Sequence, residues 1–194
     1  MPGDTQLPRY QVFLQEKTGE PYQDVGSVHA ADPEMALQNA RDVFVRRPEC
    51  AGLWVIPAEA IYSRTAQELE LEKRAVEKAG MKPENGPAAG EQDARAECYY
   101  IFIKSKSAGT QTLVGEVLAR SPRTALDQAR GTLSIRRPPF AWWVLPASRV
   151  VASQPEDADS MFTPAFSKPF RLATDFHTLT AMRTIKSGRL KSSE

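Results

Sequence analysis

The side chains able to do chemistry are few and poorly spaced for it. His29 and His177 are the only two histidines, and neither sits in a Glu-x-x-His or His-x-x-x-His arrangement. A carboxylate-bridged iron pair or a catalytic zinc therefore has no recognisable ligand set, since the first uses Glu-x-x-His pairs and the second three His, Cys or carboxylate ligands. The two cysteines, Cys50 and Cys98, show no paired metal-binding spacing and are too few for a disulfide framework. A nucleophilic cysteine needs a local base, and nothing near Cys50 in the sequence supplies one. Gly26 and Gly115 are isolated, outside any glycine-rich phosphate loop, and read as sites of a bulge or of close packing in a strand. His29 reads as a strand-end packing or interface residue rather than as an acid or base.

Arginine offers a second kind of candidate. Arg41 and Arg130 fall mid-helix, and Arg46, Arg47, Arg136 and Arg137 follow the helix ends. Cations late in a helix complement its dipole, at about 0.3–1 kcal/mol each, and that reading is preferred to a dedicated anion or partner site. Trp54, Trp142 and Trp143 lie on short apolar strands and read as core, since no basic stripe surrounds them to suggest a nucleic-acid platform. Lys and Arg number 25 against 24 Asp and Glu, a net charge of +1 that excludes a strongly basic nucleic-acid binder. No long apolar run suggests a membrane span, and Met1 to Gln6 lacks the basic and apolar regions of a signal peptide. A reducing cytoplasm is the expected compartment.

What positions these residues is a duplication. Shifted by 89, residues 10–58 lie on 99–147 without a gap, and 17 of the 49 pairs are identical. Tyr10/Tyr99, Phe13/Phe102, Gly26/Gly115, Pro33/Pro122, Leu37/Leu126, Arg41/Arg130, Trp54/Trp143 and Pro57/Pro146 are among them. Two copies at so long a period indicate a doubled small domain rather than a solenoid.

Each copy spells the same elements. Tyr10 to Gln15 and Tyr99 to Ile103 are rich in strand formers. A turn then leads to a second strand, Val25 to Ala30 or Val114 to Ala119. Asp32 and Ser121 are suited to cap a helix, with Pro33 and Pro122 at its first position. Ala36, Leu37, Ala40, Val43 and Phe44 fall on one helical face, as do Ala125, Leu126, Ala129 and Leu133. A third strand, Leu53 to Ile56 or Trp142 to Leu145, stops at a proline. The expected fold class is α+β: two related β-β-α-β repeats paired about a pseudo-twofold axis, with a helical linker and an extended C-terminal tail. A repeat of about 50 residues buries little surface alone, so the pair is expected to share a core.

The boundaries follow: a first repeat over 1–64, a linker over 65–97, a second repeat over 98–150 and a tail over 151–194. Thr65 to Ala79 consists almost wholly of good helix formers, whereas Met81 to Glu97 carries Pro83, Gly86, Pro87 and Gly90. The tail holds Phe162, Phe166, Phe170 and Phe176 beside an excess of Lys and Arg. It either folds back over the repeats or docks on a partner.

The first copy resembles a known family. The residues that carry the likeness are Val12-Phe13 with Gln15-Glu16-Lys17, then Val25-Gly26-Ser27-Val28-His29-Ala30 and Asp32. They continue through Glu34-Met35-Ala36-Leu37-Gln38-Asn39-Ala40-Arg41-Asp42-Val43-Phe44, Arg46-Arg47 and Leu53-Trp54-Val55. Over residues 9–57 the chain resembles the PaaB family, small subunits of multicomponent ring-1,2-phenylacetyl-CoA epoxidases. The resemblance implies a non-catalytic subunit in aerobic phenylacetate degradation that binds no cofactor or metal itself. Its implied partners are a di-iron oxygenase catalytic subunit, the structural partner of that subunit, and a flavin and iron–sulfur reductase. Family members are usually one repeat long, so one chain is expected to do the work of two subunits.

The copies differ in what they keep. Copy one retains the polar residues Gln15, Glu16, Lys17, His29, Asn39, Arg41 and Asp42, whereas copy two has Lys104, Ser105, Leu118, Gln128 and Gly131 at five of those places. The seven residues of copy one are the candidate partner interface, with no catalytic, cofactor or metal residue expected anywhere. The alternative function is a free-standing small-ligand-binding or regulatory protein that uses a cleft between the repeats.

Overall fold

The computed structural model describes residues 7–45, 50–78, 95–135, 137–166 and 182. The expectations for Arg46, Arg47, Arg136, Phe170, Phe176, His177 and most of the linker beyond Lys78 lie outside these residues. The fold is α+β, an antiparallel sheet with several helices.

The first half runs β1 (Arg9–Gln15), β2 (Gln23–His29), α1 (Pro33–Phe44), β3 (Gly52–Pro57), β4 (Tyr62–Thr65) and α2 (Ala66–Lys78). The second runs β5 (Glu97–Lys104), β6 (Gln111–Ala119), α3 (Pro122–Thr132), β7 (Ala141–Pro146), β8 (Val151–Ala152) and α4 (Ala158–Phe166). The helix starts follow local chemistry. The Asp32 carboxylate accepts from the Met35 amide at 2.7 Å and the Ser121 hydroxyl from the Thr124 amide at 3.2 Å, each ahead of a proline at the first turn. At the start of α2, Thr65 and Glu68 form a reciprocal capping box: Glu68 Oε2 accepts the Thr65 amide at 2.7 Å and Thr65 Oγ1 accepts the Glu68 amide at 3.2 Å.

All strand pairs are antiparallel, in the order β4-β7-β5-β6-β2-β1-β3-β8. The halves meet at β2 and β6 through a short contact, the pair Gln23 and Thr112 with the Leu113 amide donating to the Tyr22 carbonyl at 2.9 Å. The sheet folds sharply there. Phe13 on β1 and Phe102 on β5 are three strands apart, which in a flat sheet means about 14 Å, yet their ring centroids lie 4.4 Å apart.

This fold covers both sheet faces. Tyr10, Val12, Leu53 and Val55 pack with Ala36 and Ala40 of α1, and Tyr99, Ile101, Trp142 and Val144 with Ala125, Leu126 and Ala129 of α3. The alternate residues Phe13, Ile56, Phe102 and Leu145 are fully buried between the halves. Strand periodicity assigns each side chain to one of the two cores.

A bulge interrupts both hairpins at the same step, between Val12 and Phe13 and between Ile101 and Phe102, opposite Gly26 and Gly115. Gly26 adopts φ +130°, a conformation that favours glycine. A Cβ there would come within 3.1 Å of the Phe44 ring, and one on Gly115 within 3.1 Å of Leu133. The glycines let the last helical turn close onto the strand.

Two expectations are corrected. Val43 is 53% exposed rather than part of the buried face. At 100° per residue it lies at the edge of the arc set by Ala36, Leu37, Ala40 and Phe44, and the second half has Thr132 there. The described start of the expected extended tail is instead β8, a 3-10 turn and α4, because Ala158, Met161 and Phe162 bury themselves in the first half's core. The halves in fact exchange their ends. β4 pairs with β7 of the second half, where α2 also sets Leu69, and β8 pairs with β3 of the first.

Candidate functional site

The seven polar residues of the candidate interface fall into separate places. Gln15 ends β1, and its amide donates to the Glu20 carbonyl at 2.7 Å across the exposed turn that carries Glu16 and Lys17. His29 lies at the far end of the hairpin, opposite Arg9. Six residues at ~3.3 Å each put these groups about 20 Å apart. His29 Nδ1 is 2.8 Å from the Leu7 carbonyl, and a carbonyl only accepts, so this nitrogen carries the proton. Asn39 Nδ2 donates to the His29 carbonyl at 3.1 Å, which joins α1 to the end of β2.

Arg41 and Asp42 make a third group. Arg41 Nε and Nη2 donate to Asp42 Oδ1 at 3.1 and 2.9 Å. Asn39 and Arg41 are two residues apart, so they lie on opposite flanks of α1. The structure brings His29 to Asn39 and Arg41 to Asp42, and keeps the turn group apart from both.

Among the described residues, the two cysteines are not activated. Burial pushes the Cys50 thiol up to about 11. Burial and the nearby Glu116 carboxylate, 3.8 Å from its sulfur, also raise Cys98. Both thiols thus stay protonated near neutral pH, the opposite of an activated nucleophile. Among the described residues, no group of three or more His, Cys, Asp or Glu is placed to hold a metal.

Two grooves remain. One, of about 380 Å³, lies where the β1–β2 turn at Glu20 and Pro21 crosses Tyr100, Leu113 and Glu116 of the second half. It opens beside the space between the halves, which Phe13, Ile56, Phe102 and Leu145 fill. The other, of about 440 Å³, separates α2 from the end of α3 and the chain leading into β7.

Sequence reasoning did not single out Asp24. Its Oδ1 accepts from Gln11 Nε2 at 2.6 Å and from the Gly26 amide at 3.1 Å, and burial raises its carboxyl above the ordinary range. The signal available was asymmetry, since Leu113 stands 89 residues on. An aromatic seam also crosses the halves: Trp54 stacks on Tyr22 with centroids 3.8 Å apart and meets Tyr100 at 4.6 Å.

Comparison with known proteins gives this arrangement a context. The model of the family described as PaaB, Phenylacetic acid degradation B, matches residues 6–84 and again residues 96–183. The chain belongs to the PaaB family. It is 46% identical over 61 residues to a subunit of the 1,2-phenylacetyl-CoA epoxidase of Escherichia coli (strain K12), a match over 31% of this chain and 64% of that protein. The chain thus spans a little under two thirds of that relative's length. No solved structure matches it. Both PaaB segments run past the residues legible as a repeat, the first through β4 and α2 and the second through β8 and α4. Among the described residues, no helix is long and apolar enough to cross a membrane.

Proposed function

We propose that this chain is a non-catalytic bridging subunit of a bacterial multicomponent di-iron oxygenase acting on phenylacetyl-CoA or a related aromatic CoA thioester. The observation that carries the reading is the two-segment PaaB match, 6–84 and 96–183, in a chain whose thiols are held protonated. Its partners in this reading are the di-iron catalytic subunit and that subunit's structural companion, with electrons from a flavin and iron–sulfur reductase, all in the cytoplasm.

The architecture in this reading is two β-β-α-β repeats paired about a pseudo-twofold axis, over residues 1–64 and 98–150, with a linker over 65–97 and a tail over 151–194. What supports the pairing is the strand order. With β1 to β4 equated to β5, β6, β7 and β8 in turn, it reads the same from either end, and the bulges fall at one step. A two-fold object with two non-identical surfaces suits a bridge, because each half can engage a different subunit.

Gln15, Glu16, Lys17, His29, Asn39, Arg41 and Asp42 are the proposed contact residues of the first half. The test is isolation of the tagged full-length chain from its native host at low salt. Stoichiometric di-iron oxygenase subunits are expected with it. Recovery of the chain without them under conditions that preserve the oxygenase activity would overturn the proposal.

A further inference from the structure

The groove between α2 and α3 has a filled counterpart in the first half. There, α4 inserts Phe162, 6% exposed, and Met161 packs beside it against the core that includes Leu53 and Phe44. Counting back by 89, Phe162 and Met161 correspond to Lys73 and Glu72 of α2. Lys73 is exposed, and Glu72 is engaged by Arg64 Nε at 3.2 Å. At these two matched positions α2 therefore offers no apolar side chain in the role of Phe162. Among the described residues a groove of about 440 Å³ stands open, walled by Leu69, Leu133, Ile135 and Trp142.

Its rim is charged. Among the described residues, Arg130 and Arg137, both exposed, line it on one side and Glu70 on the other, an excess of one positive charge over an apolar floor. An apolar groove with a cationic rim selects a segment that combines a buried hydrophobic anchor with carboxylates. The chain's own residues beyond 166 are a poor match, since six Lys or Arg there face only Asp175 and Glu194.

We infer that this groove is a docking site for an acidic segment of an oxygenase subunit, which inserts one aromatic side chain where the first half is closed by its own Phe162. The inference rests on the bridging role proposed above and gives the second half a surface unlike that of the first. The anchor enters between Leu69 and Trp142, and its flanking carboxylates meet Arg130 and Arg137. The first half needs no such anchor from outside.

The test uses the full chain assembled with its purified oxygenase subunits. A photoreactive p-benzoyl-phenylalanine in place of Glu70 sits on the rim without disturbing the core. It is expected to cross-link to one oxygenase subunit, at a segment with Asp or Glu flanking Phe, Tyr or Trp. In a titration of the same subunits, Arg130→Glu with Arg137→Glu is expected to weaken assembly roughly tenfold and to flatten its salt dependence. Glu70→Gln is expected to tighten it. Cross-linking only to residues beyond 166 or to a second copy of the chain would overturn the inference. So would a complex that assembles normally with no cross-link and no response to charge reversal. If the unaltered chain fails to assemble at all, the bridging role falls first and this inference with it.

Discussion

Phe162→Ala tests the exchange of ends between the halves. Phe162 lies on α4, more than a hundred residues along the chain from Ala36, Ala40 and Leu53, whose core it completes. Truncating a buried phenylalanine costs about 3–5 kcal/mol. The lower end is expected here, because α4 is short, carries Pro164 and can settle partly into the space. A loss of about 3 kcal/mol corresponds to roughly 6–12 °C in Tm for a chain of this size. Urea unfolding is the assay, read as a fall in midpoint at unchanged slope. Hydrogen exchange should rise first in α1 and β3 rather than in α3, because the cavity opens in the first half. Lys73→Ala, at the matching position of α2, should stay within about 0.5 kcal/mol as an exposed substitution. A Phe162→Ala loss below about 0.5 kcal/mol, or faster exchange in α3 instead of α1, would refute the exchange.

Other expectations follow from single contacts. Leu126, 2% exposed, should cost about 2–5 kcal/mol as alanine, measured by the same urea titration. Gly26→Ala should destabilise by about 1–3 kcal/mol, since it forces a side chain into φ +130° against Phe44. Gly115→Ala should cost less, because only the tip of Leu133 must move; equal losses in thermal melts would show that the φ value is not what matters. Iodoacetamide at pH 8 should label Cys98 before Cys50. Burial raises the folded pKa of Cys50 to about 11, so its thiol form is favoured by folding and that contribution is lost as pH rises from the unfolded value through about 11. Equal labelling rates at pH 8 would contradict this. Replacing Glu16 and Lys17 by Ala should weaken assembly with the oxygenase subunits and leave Tm nearly unchanged. The matched pair Ser105→Ala and Lys106→Ala should do less in the same titration.

The elements of each half were legible because their signals are local. Asp32 and Ser121 followed by proline mark the helix starts, and Ala36 and Ala40 fix the buried face, so the helices stand where the spacing puts them. The strands were harder. Tyr99 to Ile103 is almost wholly apolar because both faces are covered, one by α3 and the other by the first half. A strand buried on both sides carries no alternation, and the sequence alone cannot say which residue faces which core. β4 and β8 went unread for another reason. Each is short and pairs with the opposite half, and a pattern read within one copy does not report a partner a hundred residues away. The same shift of 89 relates Tyr62 of β4 to Val151 of β8.

The candidate interface was legible only in part, for a related reason. A set of polar residues says which side chains folding does not require, but not whether they share a surface. Asn39 turned out to hold α1 to the end of β2, and Arg41 to be paired with its neighbour Asp42, so part of the set has work within the half itself. Only Glu16 and Lys17 combine exposure with a place on a projecting turn. Duplication sharpens this distinction. After it, each position exists twice under one packing constraint, and residues that the shared fold requires stay alike, as at Phe13 and Phe102 or Gly26 and Gly115. Where the halves diverge, packing is not the common cause. Asp24 against Leu113 and His29 against Leu118 are such places, and they lie at a bulge and at a strand end. A fused pair can thus keep one framework and give its two surfaces to two different neighbours, which identical protomers related by a true twofold axis cannot do.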